Sequence, residues 1–255
     1  MKKNAFLTLF ILLLFLKGNA QSVRYDHRYN QLYEGFYKIS IGFKFSPALS
    51  MNSLDASGDF KGLQSVSSKL GGSIGPIADL YLNETTALST GLLYTLKRVD
   101  YALPDTISFY KQELFHQKPL SAEEKRNINA AFNLHCLQIP LTLKVFSDGL
   151  LSDCPAYLQF GGIFNLKVKE SAINKGSNPI AQYQERLPEA TAVFRPYHFS
   201  VMIGFGGETC LKGSNDSFFF GMQYQKGISK INNVDSFSNL ITNNGMLMLD
   251  FGFKF

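Results

Sequence analysis

The chain has 255 residues, 23 of them Phe, 12 Tyr and 21 Gly, and its 25 basic residues outnumber its 20 acidic ones. Three lysines, Lys2, Lys3 and Lys17, fall within the first 20 residues, which contain no acid, so the remainder has a net charge of only +2. Nucleic-acid-binding proteins usually carry a much larger positive charge, so we expect no nucleic-acid partner. The three cysteines are too few and too scattered for a disulfide-dense fold, and none forms a CxxC motif.

The first 20 residues have the three parts of a secretory signal peptide. Two lysines precede the apolar run AFLTLFILLLFL, and small residues, Gly18 and Ala20, occupy the −3 and −1 positions of a cleavage site. The apolar run is shorter than the about 20 residues that a spanning helix needs. We therefore predict a cleaved signal peptide at 1–20, a short periplasmic segment at 21–36 and a single β-domain at 37–255.

Eight later segments alternate apolar and polar side chains with the period of two that is typical of β-strands. They begin near Tyr37, Ser73, Leu88, Leu137, Ala156, Phe199, Phe218 and Leu247. The second contains Pro76, which predicts a bulge or an irregular start there. The apolar rows carry no charge, whereas the opposite rows hold Lys38, Lys44, Asp79, Lys97, Lys144, Lys167, Lys169, Asp250 and Lys254.

Alternation alone fits a soluble barrel with an apolar interior or a membrane barrel with an apolar exterior. Glycines on the polar rows, such as Gly42, Gly161 and Gly252, favour a narrow lumen in which side chains must be small. The segments are joined alternately by long and short connections, which puts long loops on one rim and short turns with both termini on the other. Both features favour the membrane barrel, with a soluble extracytoplasmic barrel as the alternative.

The last segment ends the sequence on alternating aromatic residues. We interpret Phe251, Phe253 and Phe255 as the terminal signal that barrel-insertion machinery recognises. No apolar run after residue 20 is long enough for a spanning helix, and only helices and closed barrels satisfy their backbone in lipid. The sequence therefore predicts an all-β, eight-stranded antiparallel up-and-down transmembrane barrel in the outer membrane of a Gram-negative cell, with periplasmic termini.

Four stretches resemble the PorT-like small outer-membrane β-barrels. They are GLLYTLKR at 91–98, LQIPLTLK at 137–144 with its in-strand proline, VMIGFGGE at 201–208 and FFFGMQYQKGIS at 218–229. The resemblance extends over about residues 36–255 and implies an eight-stranded barrel. These motifs report barrel construction rather than chemistry, so the resemblance implies no substrate or cofactor.

Candidate residues for chemistry are few. His135 and His198 are predicted to open the fourth and sixth strands at the outer rim, and Ser200 shares the lumenal face with His198. A site that acts on lipid should open toward the bilayer instead, and no GxSxG motif is present. We expect rim or loop histidines rather than a catalytic site. P-loop, EF-hand and zinc motifs are also absent from the sequence, so we expect neither cofactor nor metal.

Charged residues on the lumenal rows are expected to form ion pairs, since an eight-stranded lumen is filled by side chains. We predict that Lys38, Lys44, Lys144 and Lys254 pair with the aspartates of that face, Asp79 and Asp250. In the long connection before the fourth strand, Ser121 and Glu124 form a capping box, which predicts a short outer helix over 121–132. That helix either orders the loop or acts as a lid that binds a partner.

Cys154 and Cys210 form a candidate disulfide. Each is predicted to lie beside one of two neighbouring strands on the short-turn rim, and strands are about 4.8 Å apart, within the Cα separation of about 4.4–6.8 Å that a disulfide needs. The compartment is oxidising. Three free cysteines are the alternative, with Cys136 on the opposite rim.

The whole pattern favours a non-catalytic outer-membrane protein with a structural or interaction role through long extracellular loops. Its expected partners are outer-membrane lipids, the insertion machinery and other envelope proteins. Two alternatives remain at the level of the sequence: a lipid-modifying enzyme of the acyl hydrolase type at the outer rim, and a small-ligand pore through the lumen.

Overall fold

The computed structural model describes residues 38–56, 64–65, 69–83, 85–102, 129–147, 154–173, 192–210, 216–232 and 240–255. Ten strands lie in these ranges: β1 (Lys38–Ala56), β2 (Gln64–Ser65), β3 (Lys69–Asn83), β4 (Thr86–Gly91), β5 (Leu93–Ala102), β6 (Asn129–Ser147), β7 (Ala156–Ile173), β8 (Tyr197–Cys210), β9 (Ser217–Gly227) and β10 (Leu240–Lys254). No helix in the described ranges has the length and apolarity that crossing a membrane requires.

The strands close into a ring of eight. β4 and β5 continue one another around Leu92, and both pair with β3 on one side and β6 on the other. From β6 to β10 each strand pairs antiparallel with the next, and β1 closes the ring by pairing with both β10 and β3. β2 adds only two residues at the end of β5. The predicted all-β, eight-stranded antiparallel barrel is confirmed.

The inward and outward faces have the predicted phase. Apolar side chains of the alternating rows point outward, as with Ile41, which is 55% exposed, and Leu141, which is 59% exposed. Their neighbours in sequence point into the barrel, as with Ser40 and Thr142, which are buried. Because the apolar row faces outward, the described lumen holds many polar and charged side chains, together with apolar clusters such as that of Ile77, Leu93, Tyr157 and Phe219.

The connections alternate as predicted. The breaks between strands at 84–85, 148–155 and 211–216 are short and lie on the rim that also carries Lys38 and Lys254. Those at 103–128 and 174–196 are longer and lie on the opposite rim. We call these two ends of the barrel the turn side and the loop side.

Several strands extend further toward the loop side than the sequence pattern predicts. β6 begins at Asn129, so the helix predicted over 121–132 is wrong for residues 129–132, while 121–128 lie outside the described residues. The capping box is a local signal, and here pairing with β5 over residues 129–138 overrides it. The same extension places His135 and Cys136 within the strand rather than at its start or on a rim.

Three irregularities interrupt the described ladders, and the first is a register shift between Tyr81 and Asn83 of β3, where it pairs with β4. β3 runs through Pro76, which pairs with Phe43, and the break falls on the partner strand at Leu92, whose amide donates to the Pro76 carbonyl at 3.0 Å. On β7 the register shifts so that His135 faces Lys169 while Cys136 faces Lys167. This shift turns Lys169 outward, which corrects its predicted place on the lumenal row.

Candidate functional site

The turn-side half of the lumen holds a cluster of buried ion pairs. Asp79 accepts hydrogen bonds from Lys144 at 2.8 Å and forms an ion pair with Lys254 at 2.6 Å. Lys254 also contacts Glu208 at 2.5 Å, and Tyr81 donates to that carboxylate at 3.1 Å. Asp79 and Lys254 have no exposed surface, so each of these charges depends on its partner for compensation.

A second ion pair lies next to this cluster. Lys44 donates to Asp250 at 2.7 Å and to Gln223 at 3.2 Å, and the Ser46 hydroxyl donates to the other Asp250 oxygen at 2.7 Å. The predicted pairing of Lys44, Lys144 and Lys254 with the two aspartates is therefore confirmed. The side chain of Lys38 lies outside the described residues. Sequence reasoning missed Glu208, although the alternation of the sixth strand places it on the lumenal row.

Aromatic rings fill the space between these charges. The Lys144 ammonium lies 5.1 Å from the centre of the Tyr157 ring and 5.3 Å from that of Phe219, and Lys254 lies 5.4 Å from the Phe219 ring. A cavity of about 20 Å³, lined in part by Lys44, Gln138 and Asp250, has room for about one water molecule. The described lumen therefore holds side chains rather than an aqueous path.

The loop-side half of the lumen is built on amides around a single lysine. Lys97 donates to the Asn165 side-chain oxygen at 2.8 Å and lies 3.2 Å from His198 Nε2. Gln138 donates to the same Asn165 oxygen at 2.7 Å and to Gln225 at 3.2 Å. Among the described residues no carboxylate forms an ion pair with Lys97, so neutral acceptors alone compensate this buried cation.

The candidate catalytic residues do not come together. His198 and Ser200 are buried in the lumen as predicted, where Asn165 donates to the Ser200 hydroxyl at 3.2 Å. His135 lies on the outer face, with its Nδ1 at 2.5 Å from the Tyr94 hydroxyl. The barrel wall thus separates the two histidines. Within the described ranges, no group of His, Cys, Asp and Glu side chains has a metal-binding arrangement.

The loop-side mouth is covered by two short segments, 192–196 and 228–232, that bridge at Phe194 and Asn232. Phe194 packs edge-on against the inward-facing Phe132, with ring centres 5.3 Å apart. Glu170 accepts hydrogen bonds from the Val193 and Phe194 amides at 3.0 and 3.2 Å, and Lys167 donates to the Phe194 carbonyl. The Lys167–Glu170 pair therefore fixes the covering segment to the wall.

Two of the three cysteines have described side chains. Cys136 is a buried free thiol, and Cys154 is a half-buried free thiol beside Gly207. Cys210 is the last residue of β8 rather than past its end, and its side chain lies outside the described residues, so the disulfide stays a prediction. Alkylation of the unreduced, denatured protein would show whether Cys154 and Cys210 are paired.

Phe251, Phe253 and Phe255 point outward, and their role as an insertion signal also stays a prediction.

Comparison with solved structures gives matches at low identity. Neisserial surface protein A is 16% identical, over 86% of this chain and 99% of its own, with a TM-score of 0.44. OprG of Pseudomonas aeruginosa is 13% identical, over 85% of this chain and 95% of its own, with a TM-score of 0.47. Ail of Yersinia pestis, in complex with the heparin analogue sucrose octasulfate, is 10% identical, over 86% of this chain and 99% of its own, with a TM-score of 0.36.

Comparison with families gives a broader match. None of the curated proteins matches the chain. The family model for the outer membrane protein beta-barrel domain matches residues 19–233, and this range contains most of the barrel described above. The chain therefore belongs to the family of outer-membrane proteins with a β-barrel domain.

Proposed function

We propose that the mature chain, exported through the signal peptide at 1–20, is a non-catalytic outer-membrane protein that acts through its loop side as a structural or interaction component. The observation that carries this proposal is the filled lumen. Buried ion pairs occupy its turn-side half, amides occupy its loop-side half, and Phe194 covers the mouth. A barrel with a filled lumen does not offer a path for solutes, so its outer face and its loops are the surfaces available to partners.

We also propose that, within the outer-membrane β-barrel family, the chain is one of the PorT-like small barrels. The in-strand Pro140 on β6, with the adjacent Gly91–Leu92 break between β4 and β5, occupies the stretches that carry the resemblance. Insertion through Phe251, Phe253 and Phe255, and contacts with other envelope proteins, are further parts of the proposal.

The test replaces the connections at 103–128 and 174–191 by short turns, separately and together, in cells that produce the protein at native level. Cross-linking from a loop-side position such as Lys230 should capture an envelope protein with the unaltered chain and lose it with the shortened one. The matched control replaces 211–215, on the turn side, and should keep the cross-link. A partner retained after both loop replacements would contradict the proposal.

The two alternatives give different results in the same preparations. A pore predicts stable conductance steps in a planar bilayer, and an acyl hydrolase predicts release of fatty acid from phospholipid that Ser200→Ala abolishes. We expect neither, because His135 and His198 lie on opposite faces of the wall and the described lumen is filled.

A further inference from the structure

The outward face changes character near the loop side. On β5 the outward row Leu92, Tyr94 and Leu96 is followed by Arg98, and on β9 the outward Tyr224 is followed by Lys226. Between these strands, the register shift on β7 turns Lys169 outward, opposite His135 of β6. The first ionisable side chain beyond the apolar row is thus basic on four strands of one continuous stretch of wall. We call Arg98, His135, Lys169 and Lys226 the basic arc.

In the described structure, a carboxylate pairs with the arc only at its Arg98 end. Arg98 donates to Asp100 at 3.1 Å, and Lys69 lies 3.8 Å from the other oxygen of that carboxylate. Among the described residues no carboxylate forms an ion pair with Lys169 or Lys226, and both lysines are exposed. The arc therefore keeps a net positive charge on the outside of the barrel.

Outward-facing tyrosines accompany the arc on the same stretch of wall. Tyr94, Tyr197 and Tyr224 point outward and are 45%, 57% and 38% exposed. Each lies on a strand of the same stretch of wall. On β9 Tyr224 is the outward residue next to Lys226, and on β5 Leu96 separates Tyr94 from Arg98. Tyrosine is enriched where hydrocarbon meets the headgroups, because its ring is apolar and its hydroxyl is polar. On β5 and β9 the basic residue lies further toward the loop side than the tyrosine of the same strand, on the side where lipid headgroups would be.

The turn side differs at the corresponding level. Its outward side chains include Phe43, Phe205 and Phe253, and the described part of that end carries no outward lysine or arginine. In a barrel with periplasmic termini the loop side faces the outer leaflet. The asymmetry of outward charge therefore distinguishes one leaflet from the other.

We propose that the basic arc binds the phosphate groups of anionic lipid headgroups in the leaflet at the loop side. Lysine and arginine donate charge-assisted hydrogen bonds to phosphate oxygens, and these bonds are strong where water is scarce. Lys169 and Lys226 are the two lysines of the arc and form no ion pair in the described structure, so they carry most of the attraction. The proposal rests on the outer-membrane location proposed above.

The test offers the folded protein in detergent an equal mixture of phosphatidic acid and phosphatidylcholine with the same acyl chains. Native mass spectrometry then counts the lipids that stay bound. The unaltered protein should retain phosphatidic acid in preference, and the double variant Lys169→Gln/Lys226→Gln should lower that preference roughly 30-fold, from the attraction of each cation to an anionic headgroup layer. The control, Asn243→Gln/Asp55→Asn, alters outward loop-side residues of β10 and β1 and should keep the preference.

Equal retention of both lipids by the unaltered protein, or an unchanged preference in the double lysine variant, would overturn the proposal. A faster migration of unboiled than of boiled protein on a gel shows that each variant is folded, so loss of lipid preference is not confused with loss of the barrel. Failure of the loop-replacement experiment would count against the proposed function and leave the lipid measurement unaffected.

Discussion

The two faces of β10 show how the same strand meets two different environments. Asp250 and Lys254 point inward and are buried, and each is held by an oppositely charged group on another strand. Phe251 and Phe253 point outward and are about half exposed. In a soluble barrel the rows would be reversed, because water would solvate the charges and the aromatic rings would form the core.

A charged side chain that points inward is therefore tolerated where an oppositely charged side chain pairs with it. A charged side chain that points outward is tolerated only beyond the apolar part of the outer face. Inside, Lys44, Lys144 and Lys254 reach Asp79, Asp250 or Glu208 across the lumen. Outside, lipid offers no partner, so the band stays apolar until the headgroup level. Removing an inward charge from its pair, or placing a charge on the outward apolar row, should therefore lower the unfolding free energy most.

Asp79→Asn should have the largest effect on the inward face. It leaves Lys144 without its carboxylate and Lys254 with Glu208 alone, and breaking a buried ion pair in this way costs about 3–5 kcal/mol of unfolding free energy. Urea unfolding followed by circular dichroism in detergent would measure the loss. Asp55→Asn, at an exposed position, is the control and should change the unfolding free energy by less than about 0.5 kcal/mol. Equal losses of unfolding free energy in the two variants would show that the buried ion pairs at Asp79 do not stabilise the barrel.

Leu141→Lys tests the outward face in the same assay, with the protein refolded in lipid. Leu141 is 59% exposed within the apolar row, and a lysine on the lipid face near the bilayer midplane costs about 2–4 kcal/mol. Phe251→Lys should behave alike. Leu141→Met keeps the face apolar and serves as the control. If the lysine is tolerated at both positions, the outward row does not contact lipid.

Gly252→Ala and Gly162→Ala compare available space on the two faces. A methyl group at Gly252 would lie 2.3 Å from the Phe219 ring and 2.4 Å from the Phe43 carbonyl oxygen, whereas nothing lies within 4 Å of one at Gly162. We expect the first change to cost about 1–3 kcal/mol through overpacking of the filled lumen, and the second to be neutral or slightly stabilising. A tolerated Gly252→Ala would indicate a lumen with more space than described.

Lys97→Met should have the smallest effect on the unfolding free energy, because Lys97 differs from the other buried lysines in lacking a carboxylate partner among the described residues. Lys97 contacts only neutral acceptors, and Asn165 keeps its hydrogen bond from Gln138 when the lysine is lost. Removing a buried cation that lacks a carboxylate should therefore change the unfolding free energy by no more than about 1 kcal/mol, with stabilisation as the expected direction. A loss as large as that of Asp79→Asn would show that Lys97 has a partner of comparable strength.

Much of the fold is readable from the sequence, because alternation of period two sets which residues face in and which face out. The apolar row of each segment follows from it, and so does the pairing of lumenal lysines with lumenal aspartates. Alternation does not say which lysine meets which aspartate, and the Lys44–Asp250 and Lys144–Asp79 pairs are seen only in the fold. The role of Glu208 was missed although the same alternation carries it. Alternation does not predict the facing of a residue where the period is interrupted. The register shift beside Lys169 and the break at Leu92 depend on pairing with neighbouring strands.

The strand extensions on the loop side were also missed, for a related reason. At the loop-side ends of β5 and β6 the inward row is apolar, with Val99, Phe132 and Leu134 buried. The apolar and polar rows are therefore exchanged there, and the alternation read from the membrane band does not continue, whereas the pairing between β5 and β6 continues to Asn129. The contacts of Lys97 with Asn165 and His198 join residues far apart in sequence, and no local motif marks them. A site built from such contacts is visible only in the folded barrel.

The central claim is that this chain closes into a transmembrane barrel with a filled, hydrogen-bonded interior. Electrophoresis of the same detergent-folded sample with and without boiling tests it most directly, because a closed barrel resists unfolding by the denaturing detergent of the gel at room temperature. We predict that the unboiled protein migrates faster than the boiled protein. Identical migration of the two samples would contradict the claim.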